Sequence, residues 1–339
     1  MGNQRNDSAA AVSAARGRAA LASPAVATPE PGPDTESETE TDLDIALAAA
    51  DEQPRVPDLP PSVDVTLPEH GPLPVRFIAG PAGAPTVLLL HGWTATADLN
   101  FFTCYDALGA RYRVVAFDHR GHGVGVRTRK TFRLEDCADD AAAVLDALGI
   151  ESAIPVGYSM GGTVAQLLWR RHRDRVDGLV LAATAPYFAG TQAERLRFTG
   201  FTAVATLARF TPAQARSWLT DQFFLQRKDW GEWAIEQASQ HDWRMILEAG
   251  RAIGEFSSTD WLGEIDVPTA VITTMRDTVV PLRRQTRLFE GIPDAEVFRV
   301  DAAHDAIASS AGRFVPQLLR AVESVTTRLA RPTAATAHR

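Results

Sequence analysis

The chain is short of cysteine, of long apolar runs and of clustered basic charge, and each shortage closes off a class of protein. Its two cysteines, Cys104 and Cys137, are too few for a disulfide framework and have no partners at metal-ligand spacing. Both are expected to be reduced and structural. No segment approaches the roughly 20 uninterrupted apolar residues that a bilayer span requires. The opening MGNQRNDSAAAVSAARGRAA has alanines where a secretory leader needs a strongly apolar stretch. These features predict a cytoplasmic protein without a membrane span. Basic charge is scarce in another way: residues 1–60 hold eleven acids and four arginines, a net of −7, which leaves about −1 of the total −8 for the other 279 residues. The body offers no basic face to follow a phosphate backbone, so nucleic acid is not an expected partner.

What the chain does have falls into two parts. Residues 1–60 are rich in Ala, Pro and acids, with PEPGPDTESETETDLD at 29–44, and hold too little apolar material to fold alone; a disordered acidic tail is expected there. From about 62 the pattern changes to strands alternating with helices. VDVTL (63–67) and PVRFIA (74–79) read as two strands joined by a turn at His70 and Gly71, and PTVLLLHG (85–92) as a strand buried on both faces. YRVVAFD (112–118), AIPVGY (153–158), GLVLAATA (178–185), PTAVITTM (268–275) and EVFRV (296–300) continue the series, with helices over 133–150, 163–174, 282–290 and 306–329. Strand, helix, strand, helix predicts an α/β fold: a mostly parallel sheet with helices on both faces.

Ligands of such sheets collect at the carboxyl ends of the strands, and three residues of complementary chemistry follow those ends. Ser159, in VGYSMGG (156–162), stands at the corner between a strand and a helix. There G-x-S-x-G acts as a nucleophile elbow, Gly157 and Gly161 relieving the crowding around a strained serine backbone. A serine hydroxyl is a weak nucleophile unless a base and an orienting acid converge on it. Asp277 follows a later strand in RDTVVP and His304 follows the last one in DAAHDA, giving the chain order Ser159, Asp277, His304. Asp301 and Asp305 flank His304 but are too close in sequence to buttress its ring.

Acyl transfer also needs donors for a developing oxyanion. The backbone N–H of Met160, first in the new helix, supplies one, and that of Trp93, after Gly92 in the HGW turn, supplies a second. His91 is expected to orient that turn. The HxxH spacing in FDHRGHG (117–123) lacks further ligands nearby and reads as a structural Gly-rich loop, so no metal and no cofactor is expected.

Together LLLHGW, DHRGHG, GYSMGG, DTVVP and DAAHD resemble the α/β-hydrolase superfamily in its esterase, enol-lactonase and haloperoxidase-like branch, over roughly residues 62–328. The resemblance implies an eight-stranded sheet with a helical cap after the sixth strand, Ser159 as nucleophile, His304 as base and Asp277 as its orienter. The domain reading is then a tail (1–60), an α/β-hydrolase core (61–185 and 263–330) and a helical cap (186–262). Serine at the elbow speaks against haloalkane dehalogenases and epoxide hydrolases, which carry aspartate there. One departure stands out: Ala303 precedes the histidine where relatives usually have glycine.

The expected activity is hydrolysis of a carboxylic ester or lactone with an apolar acyl group through an acyl-enzyme. C–C bond hydrolysis and cofactor-free perhydrolysis use the same triad and stay open, as do an acyltransferase or a non-catalytic ligand-binding protein on this fold. The expected partner is a small apolar ester or lactone. The apolar expectation rests on the stretch 186–262, too long for a loop, which holds five of the seven tryptophans: Trp218, Trp230, Trp233, Trp243 and Trp261. Most of these are expected to pack the cap onto the core and the rest to line an acyl pocket. Lys228 is the only lysine of that stretch and its arginines are dispersed, so no charge cluster suits a phosphate or polycarboxylate.

Overall fold

The computed structural model describes residues 57–330 except 69, 195, 197, 199 and 201–230, so the acidic tail expected over 1–60 lies almost wholly outside the described residues. Eight strands form one sheet: β1 (Ser62–Leu67), β2 (Gly71–Ile78), β3 (Thr86–Leu90), β4 (Arg113–Phe117), β5 (Ile154–Tyr158), β6 (Leu179–Ala182), β7 (Thr269–Thr274) and β8 (Glu296–Val300). Their order is β1-β2-β4-β3-β5-β6-β7-β8. The β1–β2 and β2–β4 pairs are antiparallel and all others parallel. Every residue of β3, β5, β6 and β7 is buried, the signature of strands covered on both faces.

Two apolar layers flank the sheet, and β3 shows how one strand serves both. Leu88 and Leu90 join a cluster with α3 (Leu134–Ala147), α4 (Met160–Arg171) and Leu288 of α7 (Leu282–Gly291). Val87 and Leu89 point the other way. They meet Phe101 of α1 (Ala97–Phe101), Tyr105 and Leu108 of α2 (Tyr105–Gly109), and α9 (Ala311–Leu329). α9 presents Phe314, Leu318, Ala321, Val322 and Val325, a helical spacing that puts them on one stripe. Each fully buried Phe, Leu or Val side chain among these stabilises the fold by about 1.5–3 kcal/mol.

Two details depart from the sequence expectation. The five-residue helices α1 and α2 were not foreseen, and the helix expected over 306–329 is two helices, α8 (Ala306–Ser309) and α9, broken where Ser310 takes φ −135° and ψ 40°. Between β6 and β7, in the stretch expected to be a cap, the described residues include α5 (Glu232–Ser239) and α6 (Trp243–Glu255). α6 turns Met245, Ala249 and Ile253 into the layer that holds α3 and α4. Its first turn is capped by Asp242, whose carboxylate accepts from the N–H groups of Arg244 and Met245. Trp218 and Trp230 lie outside the described residues; Trp261 stacks on Trp169 at 6.0 Å, and Trp233 meets Phe102 edge-on at 5.5 Å. Among the described residues no helix is long and apolar enough to cross a membrane.

Candidate active site

β5 runs straight into α4, and Ser159 is the single residue of the corner. Its backbone sits at φ +54° and ψ −118°, a strained region for a residue with a side chain. The corner is held from several sides. Ser159 N–H donates to the Ala182 carbonyl at the end of β6, and its own carbonyl accepts from Gly162 N–H and from the Thr184 hydroxyl at 2.7 Å. The flanking glycines are there for space. A Cβ on Gly157 would lie 2.3 Å from the Gly161 carbonyl oxygen, and one on Gly161 would lie 1.9 Å from that of Leu90.

The strand ends bring the other two residues to this corner. His304, after β8, has Nε2 3.0 Å from Ser159 Oγ and Nδ1 2.7 Å from Asp277 Oδ2, the latter after β7. The Asp277 side chain is fully buried while that of His304 is 22% exposed, so solvent reaches the ring but not the acid behind it. Asp277 Oδ1 accepts from the N–H groups of Val279 and Val280, and Oδ2 also from the Thr274 hydroxyl and Gln285 Nε2. Burial pushes the Asp277 carboxyl up, but the hydrogen bond and charge of His304, the Thr274 hydroxyl and the Val280 N–H outweigh it, and its pKa is lowered from the ordinary carboxylate value. Asp301 and Asp305 do not join this arrangement. The Asp301 carboxylate pairs with Arg276 at 2.9 Å, and Asp305 stands at the start of α8. Ala303 keeps a negative φ, so the residue before His304 needs no glycine here.

Met160 opens α4, whose N-terminal N–H groups face the corner and favour negative charge there. Gly92 lies against Ser159: a Cβ built on it would be 3.3 Å from Ser159 Cβ, which places the Trp93 loop beside that serine. His91 fixes that loop. Its Nε2 accepts from His119 N–H at 2.8 Å, so Nδ1 carries the proton and donates to the Gly92 carbonyl at 2.8 Å. The indole N–H of Trp93 donates to the Ile246 carbonyl of α6 at 2.8 Å. Among the described residues no three His, Cys, Asp or Glu side chains come together as metal ligands.

Thr274, Gln285 and Tyr158 were not singled out by sequence reasoning. The Tyr158 hydroxyl donates to the His304 carbonyl, and burial raises its pKa, which keeps it a donor. Its place beside Ser159 in GYSMGG was the one available signal.

The family model described as "alpha/beta hydrolase fold" matches residues 85–310. A pimeloyl-[acyl-carrier protein] methyl ester esterase from Chromobacterium violaceum is 28% identical over 263 residues, 73% of this chain and 98% of that protein. The 3-oxoadipate enol-lactonase 1 of Acinetobacter baylyi is 25% identical over 253 residues, covering 73% and 92%. Among solved structures, a thermophilic esterase from Thermogutta terrifontis superposes with a TM-score of 0.63 at 22% identity, covering 78% of this chain and 99% of that one.

Proposed function

This chain belongs to the alpha/beta hydrolase fold family, and on that premise we propose that it is a serine hydrolase cleaving a carboxylic ester or lactone with an apolar acyl group. One observation carries the reading: a hydrogen-bonded line from Asp277 through His304 to Ser159, at 2.7 and 3.0 Å, ending on a serine held at φ +54°. The names of similar proteins, an ester esterase and an enol-lactonase, support the same chemistry.

His304, its Nδ1–H held by Asp277, presents Nε2 to the Ser159 hydroxyl and takes its proton as Oγ attacks the acyl carbon. The oxyanion that forms is stabilised by the N–H groups of Met160 and Trp93 and by the N-terminus of α4. As the tetrahedral adduct collapses, His304 returns the proton to the leaving alkoxide, leaving the acyl group on Ser159. Water, deprotonated by the same Nε2, then attacks the acyl-enzyme, and the second collapse releases the acid and restores the serine hydroxyl.

In this reading the insertion 186–262 is a cap over the strand ends and supplies part of the acyl pocket. Val279, two residues after Asp277, is 64% exposed and is an apolar side chain available to such a pocket. A panel of p-nitrophenyl esters tests the apolar pocket. kcat/KM is predicted to rise from acetate to butyrate or hexanoate by about tenfold per one to two buried methylenes, at ~0.8 kcal/mol each. A strict preference for acetate, or for a doubly charged lactone over every neutral ester, contradicts the pocket and leaves the triad reading untouched.

A further inference from the structure

One histidine of the insertion reaches the loop that carries Trp93. His241 stands between α5 and α6 and is 7% exposed. Its Nδ1 lies 2.9 Å from the Gly123 N–H and its Nε2 3.1 Å from the Thr94 carbonyl oxygen. An N–H can only donate and a carbonyl can only accept, so Nδ1 must be bare and Nε2 must hold the proton. Only one of the three protonation forms of imidazole satisfies both partners. Burial lowers the pKa of His241 to about 4, the Thr94 carbonyl acting against it and Arg127 with it, so the neutral ring is the form present near neutral pH.

Both ends of this bridge are significant. On one side the Gly123 turn is fixed: the Asp118 carboxylate accepts from Val124 N–H at 2.9 Å and from Ala97 N–H at 2.7 Å. On the other, Thr94 is β-branched and sits at φ +61°. Such a conformation costs on the order of 1–3 kcal/mol and persists only where the surroundings enforce it. Trp93, between Gly92 and Thr94, is thereby fixed from three directions. Gly92 N–H donates to Asn100 Oδ1 at 2.6 Å, the Trp93 ring donates to Ile246, and the Thr94 carbonyl is taken by His241.

We propose that His241 is a positioning residue that aims the Trp93 N–H at the oxyanion, so that seating of the α5–α6 segment and competence of the oxyanion loop are a single event. The inference rests on the reading of Trp93 as an oxyanion donor. A positioning role differs from a packing role in what it costs: the rate of acyl transfer falls while substrate binding does not.

The test uses the full chain with p-nitrophenyl butyrate, alongside the rate of labelling by a fluorophosphonate. In H241N the shorter amide keeps an acceptor for Gly123 but does not reach Thr94; in H241Q the longer amide offers a donor to Thr94. Removing an oxyanion donor outright lowers kcat by about 10²–10³-fold, and mis-aiming one costs less. H241N is therefore predicted to lose ~10–100-fold in kcat and in labelling rate with KM within about threefold of wild type, and H241Q to recover to within about fivefold. H241M, which fills the space without a donor, replaces H241N if that variant does not fold. Wild-type kcat in H241N, equal losses in H241N and H241Q, or a loss confined to KM would overturn the proposal. A wild-type chain that neither hydrolyses esters nor takes the label overturns the serine-hydrolase reading itself, and the inference with it.

Discussion

Asp277 shows how much a single side chain can be asked to do at this site. It accepts from two backbone N–H groups, a threonine hydroxyl, a glutamine amide and an imidazole, all on one buried carboxylate. Replacing it with asparagine turns one oxygen into a donor. The amide NH2 then faces either the Val279 and Val280 N–H groups, donor against donor, or His304 Nδ1, where it stabilises the ring in the tautomer that cannot accept the serine proton. Asp277→Asn is predicted to lower kcat by about 10⁴-fold in steady-state assays while the thermal melt shifts little. A loss of tenfold or less would place the orienting acid elsewhere. Ser159, Asp277 and His304 were legible in the sequence because each follows a recognisable strand. Thr274 and Gln285 were not, although both lie within eight residues of Asp277. A threonine inside a strand and a glutamine inside a helix have ordinary structural reasons to be there, and only the chain's path shows that both turn towards the acid.

At the scale of elements, legibility followed length and burial. β3 announces itself as a continuous apolar run, β7 by its β-branched residues, and α9 by its stripe. α1 and α2, five residues each, are shorter than two turns and show no periodicity that a sequence could reveal. The break at Ser310 is equally silent, since the residues on either side keep a helical pattern. The insertion is where sequence reasoning reached least far. It identified the aromatic content but not that α6 is tied to the core by specific polar contacts: Arg244 pairs with Glu248 at 3.0 Å, and Glu248 in turn accepts from Phe132 N–H at 2.8 Å. The start of α6 offers a test of how firmly this element is held. Asp242→Ala removes a side chain that caps two N–H groups, and is predicted to cost about 1 kcal/mol. For a domain of this size that is a fall in Tm of roughly 2–4 °C. An unchanged melt would show that the Asp242 cap contributes little to holding α6.

Across the whole molecule, the acid response is set by four buried histidines. His91, His119, His122 and His241 lie in one cluster, with rings 4.4 Å apart (His91–His119), 5.1 Å (His91–His122) and 5.5 Å (His122–His241). Burial holds all four below the ordinary value: His119 at about 3 and His241 at about 4, with His91 and His122 well below it. The unfolded chain binds protons at these residues from about pH 6.5 downwards, while the folded chain binds them only at lower pH, from about 4 for His241. Stability contributed by their neutral burial is therefore lost as pH falls below about 6.5. Each histidine adds up to ~1.4 kcal/mol per pH unit to the slope. Asp118 works in the opposite sense. Burial raises it to about 6, so the folded state takes up its proton first as pH falls, offsetting roughly one histidine. Tm is predicted to fall steeply between pH 6.5 and 5; a flat profile over that range would contradict neutral burial of the cluster. The composition of residues 1–55 gives a separate expectation: their deletion should leave Tm and kcat/KM almost unchanged, and a loss of several degrees would show that the segment docks on the body.

The central claim is that Ser159 is a nucleophile made reactive by His304 and Asp277. Its most direct test is to treat the full-length protein with a fluorophosphonate, digest it and locate the adduct by mass spectrometry. The account predicts one phosphonyl group per chain, on the peptide containing Ser159, with no adduct and no esterase turnover in Ser159→Ala and an unchanged melt for that variant. Labelling on another residue, or a Ser159→Ala protein that keeps its turnover, would contradict it.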